Sequence, residues 1–230
     1  MKTIGMIGGM SWESTVTYYQ AMNQGVNSAL GGLHSAQVVL VSVDFAVIEK
    51  FQANGEWDKA AELLSQAAQS LEKAGADFFI ICTNTMHKVA ETVQSQVNIP
   101  LLHIADATGQ QLKRNGITRV GLLGTAFTME QDFYKGFLER KYGIEVIVPN
   151  GVQRRLVHDV IYQELCLGKL NNRSKTDFLT VIGDLYESGA EAVILGCTEI
   201  GLLVKPNDTR VLLFDTTKIH VESAVARALE

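Results

Sequence analysis

The sequence predicts an α/β fold of two pseudo-symmetric three-layer domains, each built on a mostly parallel four-stranded sheet. Two observations carry this. Short apolar, β-branched runs alternate with longer amphipathic stretches along all 230 residues, the order expected of parallel β-α-β units covered on both sheet faces. The same order then recurs. Gly5-Met6-Ile7-Gly8 returns as Gly121-Leu122-Leu123-Gly124, the run Ala76 to Thr83 returns as Ala190 to Cys197, and Ile104-Ala105-Asp106 loosely as Leu213-Phe214-Asp215. The offsets are 116, 114 and 109 residues, near-constant as an internal duplication requires.

In chain order, the first half places strands at Thr3 to Ile7, Ala36 to Val43, Asp77 to Ile81 and Ile99 to Ile104, each a short apolar run. Amphipathic stretches at Ser11 to Leu30, Trp57 to Ala74 and Thr85 to Val97 read as the helices between them. In the second half the strands fall at Arg119 to Leu123, Ile144 to Val148, Ala192 to Leu195 and Arg210 to Phe214. Helices fall near Met129 to Lys141, Val152 to Leu167, Lys175 to Ser188 and after Cys197. The expected domains are residues 1–105 and 106–215, packed tightly on one another, with the helix of residues 216–230 folding back on the first.

Length and composition narrow the function. The chain can hold two units of about 110 residues, each with its own core. Three cysteines, Cys82, Cys166 and Cys197, are an odd number without close spacing, which argues against a disulfide framework or a zinc knuckle. A reduced, cytoplasmic setting is expected, since no export signal or membrane span is evident. The net charge of −5 is spread among interspersed acidic and basic residues, so nucleic acid is not an expected partner.

Chemistry concentrates at the ends of the duplicated strand. Ligands of open parallel sheets gather where strand C-termini meet helix N-termini, and Thr83-Asn84-Thr85 and Cys197-Thr198-Glu199 occupy such junctions. Backbone N–H groups there suit a carboxylate, and a helix dipole would lower the Cys197 thiol pKa. Two groups on opposite sides of one substrate are what stereoinversion at carbon needs. Thr83 aligns with Cys197, yet Cys82 takes its place if the strand ends one residue differently; adjacent strand residues face opposite sides. Ser11 serves either as the cap of the first helix or as a ligand contact.

These residues carry a resemblance. Gly8-Gly9-Met10-Ser11-Trp12-Glu13-Ser14-Thr15, the pair Asn84-Thr85 with His87 behind it, and Gly196-Cys197-Thr198-Glu199 together resemble the cofactor-independent aspartate/glutamate racemase family over essentially the whole chain. The nearest likeness is to its broad-specificity amino-acid racemase branch from enteric bacteria. The resemblance implies a substrate held between two domains, with a cysteine from each acting as acid or base. It implies that Cys197 deprotonates the L-enantiomer, that Thr83 stands where the other catalytic group belongs, and that no cofactor is used.

Two departures shape the expected activity. The family's Cys-Asn-Thr is here Thr83-Asn84-Thr85. A hydroxyl is poorly suited to removing a proton, so the L-to-D direction should be kinetically favoured; the equilibrium is unchanged, and the asymmetry must appear in rate constants and saturation. The basic residues that grip an acidic side chain in aspartate-specific members are replaced by Val47 and Cys166, which relaxes specificity. Expected pocket residues are Met10 through its backbone, Ser11, Gln52, Asn84, Thr85, Thr125, Thr198 and Glu199.

Other readings stay open: an aspartate/glutamate-specific racemase, a decarboxylase of the same superfamily using Cys197 alone, or a non-catalytic small-ligand sensor. The Gly5-Met6-Ile7-Gly8-Gly9 run lacks the dinucleotide-loop spacing, and no lysine stands out for pyridoxal phosphate. His34, His87, His103, His158 and His220 show no metal-ligand spacing, so no metal is expected, and most are read as surface or capping residues; His87, in the helix after Thr83-Asn84-Thr85, is read as a solvated position ahead of one that orients that loop. Cys166 is expected to face the core of its helix. The expected partners are an amino-acid substrate and, as an assembly, a homodimer.

Overall fold

Ile4-Gly5-Met6-Ile7-Gly8 is apolar without alternation, as suits a strand covered on both faces. It forms β1 (Ile4–Gly8), entirely buried, with β2 (Val38–Ser42) and β3 (Phe78–Ile81) paired parallel to either side in the order β2-β1-β3. The computed structural model describes residues 1–230. It divides into two units, Met1–Ile104 with His220–Glu230, and Ala105–Ile219.

In the first unit, α1 (Trp12–Leu30) starts at Ser11, whose hydroxyl accepts the Ser14 N–H, and stops at Gly31. Its inward stripe Tyr18, Met22 and Val26 follows the helical period. Next come α2 (Phe45–Ala53), capped by Asp44, and α3 (Trp57–Lys73), which buries Ala60, Leu64, Ala68 and Leu71. A 3₁₀ turn (Thr85–Val89) leads into α4 (Ala90–Gln94). Strand alternation separates two cores. Ile7, Phe79 and Ile81 pack with Ile48, Leu64 and Leu71 on one face. Ile4, Met6, Phe78, Ile80 and Cys82 pack with Tyr18 and Met22 on the other, joined there by Val221, Ala224, Val225 and Ala228 near the C-terminus. Each fully buried aliphatic or aromatic side chain contributes about 2 kcal/mol before entropy is charged against it.

The fourth strand expected at Ile99 to Ile104 is reduced to a single bridge between Leu101 and Phe79, so this sheet has three strands. Phe79 donates to the Pro100 carbonyl and accepts from the Leu102 N–H, and the chain then turns into α5 (Ile104–Arg114). The expected helix Thr85 to Val97 is likewise a 3₁₀ turn plus a short helix, and α2 had no counterpart in the sequence reading.

The second unit begins with α5 and runs on through β4 (Arg119–Gly124), α6 (Ala126–Glu130), α7 (Asp132–Tyr142), β5 (Glu145–Ile147), α8 (Gly151–Gln163), α9 (Asn172–Glu187), β6 (Ala192–Gly196), α10 (Ile200–Leu203), β7 (Leu212–Asp215) and α11 (Thr216–Leu229), whose first turn alone belongs here. Its four strands are all parallel, in the order β5-β4-β6-β7. Extended backbone at Gln131 breaks the expected helix Met129 to Lys141 into α6 and α7. Asn150 and Asn171 cap α8 and α9 through side-chain oxygens. The core gathers Leu123, Val157, Ile161, Phe178, Ile182, Val193 and Leu195. No helix of either unit is long and apolar enough to cross a membrane.

Candidate active site

Each unit presents a cluster of polar side chains where two neighbouring strands of its sheet end. In the first unit the sites are the ends of β1 and β3, held in register by Cys82 N–H donating to the Ile7 carbonyl. The turn after β1 needs Gly9, whose φ is 92° and where an added Cβ would collide with the Val43 carbonyl. The Gly9 N–H donates to the Thr15 hydroxyl (2.8 Å), which donates to the Ser11 carbonyl (2.9 Å). The Ser14 hydroxyl donates to the Cys82 carbonyl (3.3 Å), tying this loop to the end of β3. The Gly-Gly-Met-Ser-Trp-Glu-Ser-Thr motif is therefore a scaffold as much as a contact surface.

Cys82 and Thr83 separate cleanly. Alternation sends the Cys82 side chain into the core beside Phe78 and Tyr18, where it is fully buried and burial pushes its thiol pKa up. Thr83 is half-buried, and Asn84 and Thr85 are buried beside it. Met10 is buried in the α2/α3 core, and Gln52, also buried, points its amide at the Met86 sulfur (3.0 Å).

His87 is a residue the sequence reading underestimated. A solvated position was favoured over one that orients its loop, and the side chain is buried, as is that of His220. The His87 Nδ1 lies 2.8 Å from the Thr83 carbonyl and its Nε2 accepts the Ile104 N–H (3.2 Å). Burial foremost, then the neighbouring His103 and His220, hold its pKa well below the usual histidine range. No amphipathic period reveals this burial, because a 3₁₀ turn carries the residue.

In the second unit the corresponding ends belong to β4 and β6, where Gly124 pairs with Gly196. A Cβ on Gly196 would stand 2.7 Å from the Leu123 carbonyl, so glycine lets β6 lie close against β4. Thr125 caps α6, accepting the Thr128 N–H (3.3 Å). Beyond Gly196, the Cys197 Sγ donates to Glu199 Oε2 (2.9 Å), and the Thr198 hydroxyl donates to the same oxygen (2.6 Å). Cys166 approaches the other carboxylate oxygen at 3.9 Å.

This geometry reverses one expectation. The Cys197 thiol is not made more acidic: burial first, then the Glu199 charge and Cys166, push its pKa well above the ordinary thiol value. The helix meant to lower it is the single turn α10, too short for a substantial dipole. The thiol is thus placed as the hydrogen-bond donor to Glu199. Cys166, half-buried in a 3₁₀ turn after α8, packs against the core of the second unit as expected, and its thiol also approaches Glu199. Val47 is exposed on α2. No group of three or more His, Cys, Asp or Glu side chains is placed to hold a metal ion.

Comparison with known proteins meets this arrangement. A family model described as Asp/Glu/hydantoin racemase matches residues 7–224. The chain is 53% identical, with a TM-score of 0.93 and full coverage of both chains, to a crystal structure from Yersinia pestis described as a candidate Asp/Glu racemase. It is 36% identical, with a TM-score of 0.87 over the whole of both chains, to an aspartate racemase homologue from Pyrococcus horikoshii. The broad specificity amino-acid racemase RacX of Bacillus subtilis is 24% identical over 98% of each chain.

Proposed function

Because this chain belongs to the Asp/Glu/hydantoin racemase family, and is therefore an isomerase, we propose that it interconverts L- and D-amino acids of relaxed side-chain specificity without a cofactor, running faster from L to D. The observation that carries the reading is the Cys197 thiol resting on the buried Glu199 carboxylate at the end of β6.

A thiol with a raised pKa is a poor base until its proton has somewhere to go. In this reading the S–H proton passes to Glu199 Oε2, leaving a thiolate beside a neutral carboxylic acid. The thiolate takes the α-proton of the L-substrate, whose α-carboxylate is held by backbone N–H groups, and becomes a thiol again. The Thr83 hydroxyl delivers a proton to the opposite face of Cα. Thr83 then regains a proton, and Glu199 loses one, through solvent as product leaves. In reverse, Thr83 would have to act as the base, and an isolated hydroxyl does so slowly. Placement of Cys82 in the core favours Thr83 as the first group.

Relaxed specificity rests on Val47 and Cys166. Neither brings a cation to an acidic side chain, so an aspartate or glutamate substrate gains no charge-assisted pair from them. Incubating single enantiomers of a broad amino-acid panel in D₂O and separating the products by chiral chromatography tests the reading. D-product labelled at Cα from several L-amino acids is expected. Carbon dioxide release from arylmalonates without such labelling would replace racemisation by decarboxylation.

A further inference from the structure

The Thr83 carbonyl lies beyond β3, where the sheet no longer holds it, and its acceptor capacity goes to a side chain instead. The ring of His87 is placed 2.8 Å away through Nδ1. Its other nitrogen faces the Ile104 N–H at 3.2 Å, a group that can only donate. Nε2 must therefore be the acceptor, and the single ring proton sits on Nδ1, donated to Thr83. The tautomer follows from the partners.

The surroundings keep it so. His87 is 3% exposed, and the His103 ring packs edge-on at 4.5 Å with His220 at 6.0 Å. His220 is held in the same manner. Its Nε2 faces the Leu102 carbonyl (2.8 Å), so that nitrogen carries the proton and Nδ1 accepts from the Tyr18 hydroxyl (3.0 Å). Two neutral, oriented imidazoles thus stand behind the end of β3, and one reaches the peptide that carries Thr83.

We propose that His87 is a positioning residue for Thr83: it fixes the Thr83 peptide plane, and so the direction of the hydroxyl, without itself exchanging a proton with substrate. It bonds the carbonyl, not the hydroxyl, which excludes it as a relay on this geometry. The inference deepens the reading of Thr83 as proton donor and rests on it. Displacing a reacting group by about 1 Å costs on the order of a hundredfold in rate, and here the loss falls only on the Thr83 side of the reaction.

The test is the ratio of deuterium wash-in to racemisation, measured in D₂O on a panel of the chiral protein L-amino acids. When reprotonation at Thr83 slows, the carbanion lasts long enough for the Cys197 thiol to trade the proton it took for the deuteron it had passed to Glu199, and recapture then puts label into the recovered L-form instead of the D-product. His87→Asn keeps a donor near the Nδ1 position. His87→Gln reaches the Nε2 position and gives up the bond to Thr83. We expect the ratio to rise about tenfold or more in His87→Gln and to stay near the unsubstituted level in His87→Asn. Thr83→Ala sets the upper limit.

A purely structural role lowers wash-in and racemisation together and leaves the ratio unchanged. An unchanged ratio in His87→Gln, or equal ratios in the two variants, while Thr83→Ala raises it, overturns the positioning role alone. No rise in Thr83→Ala, or no turnover of any panel member by the unsubstituted protein, overturns the underlying assignment of Thr83 and the inference with it.

Discussion

Replacing Glu199 by Gln should make the Cys197 thiol more acidic and the enzyme slower. In the native protein burial, the Glu199 charge and Cys166 all oppose the thiolate, and the sulfur lies 2.9 Å from the nearer carboxylate oxygen. With the carboxylate charge spread over two oxygens, an effective separation of about 3.5 Å at an effective dielectric of about 20 gives roughly 5 kcal/mol of repulsion between thiolate and carboxylate. Removing it lowers the titration of the thiol, and an amide N–H facing the sulfur adds to this. Burial remains, so the thiol does not become freely ionised. Yet Gln cannot take the S–H proton, and loss of a positioned base costs on the order of a hundredfold or more in turnover. The assay is the pH dependence of Cys197 alkylation by iodoacetamide and of thiolate ultraviolet absorbance, in a Cys166→Ala background with Cys82 shielded in its core. L-to-D rates are measured on the same samples. A titration that stays put or rises would remove the carboxylate from the thiol's electrostatics. A rate that is unchanged or faster would show that Glu199 only hinders the thiol, and the acceptor role would be lost.

Three further outcomes are expected. Thr83→Cys should raise the D-to-L rate by at least about tenfold while the equilibrium constant stays at one; chiral chromatography from both enantiomers reports it, and no change would leave the first catalytic group unassigned. His220 is buried and its pKa is held down to about 4 against 6.5. The unfolded chain therefore binds the extra proton first, and the stability difference, fully present above about pH 6.5, is lost as pH falls toward 4. The depression amounts to roughly 3 kcal/mol, seen as falling urea midpoints across that window, and His220→Asn should flatten the slope. Gly9→Ala forces a Cβ into the Val43 carbonyl at a positive φ. A loss of about 2 kcal/mol or more in urea unfolding follows, whereas an unperturbed midpoint would mean that the loop relaxes at no cost.

Much of the scaffold is legible without coordinates. Fully apolar runs such as Phe78-Phe79-Ile80-Ile81 and Ala192-Val193-Ile194-Leu195 mark strands because a strand covered on both faces has no polar side to show. The repeat brought Thr83 and Cys197 to equivalent strand ends by alignment alone. The run from Ile99 to Ile104 looked equally good as a strand. There the chain begins α5 after one bridge, and local composition does not encode how soon a neighbouring helix begins.

From sequence alone came the parallel α/β architecture, the paired strand ends and the family likeness, because periodicity, glycine placement and local motifs are properties of neighbouring residues. Tertiary structure alone decided that Cys82 is core, that burial and then Glu199, turned back under the Cys197 thiol, raise its pKa, and that His87 is buried against the Thr83 carbonyl. Each of those depends on which groups are taken out of water and what they then face. Desolvation and hydrogen bonding are set by segments as distant as Thr83 and Ile104, and they leave no local pattern to read.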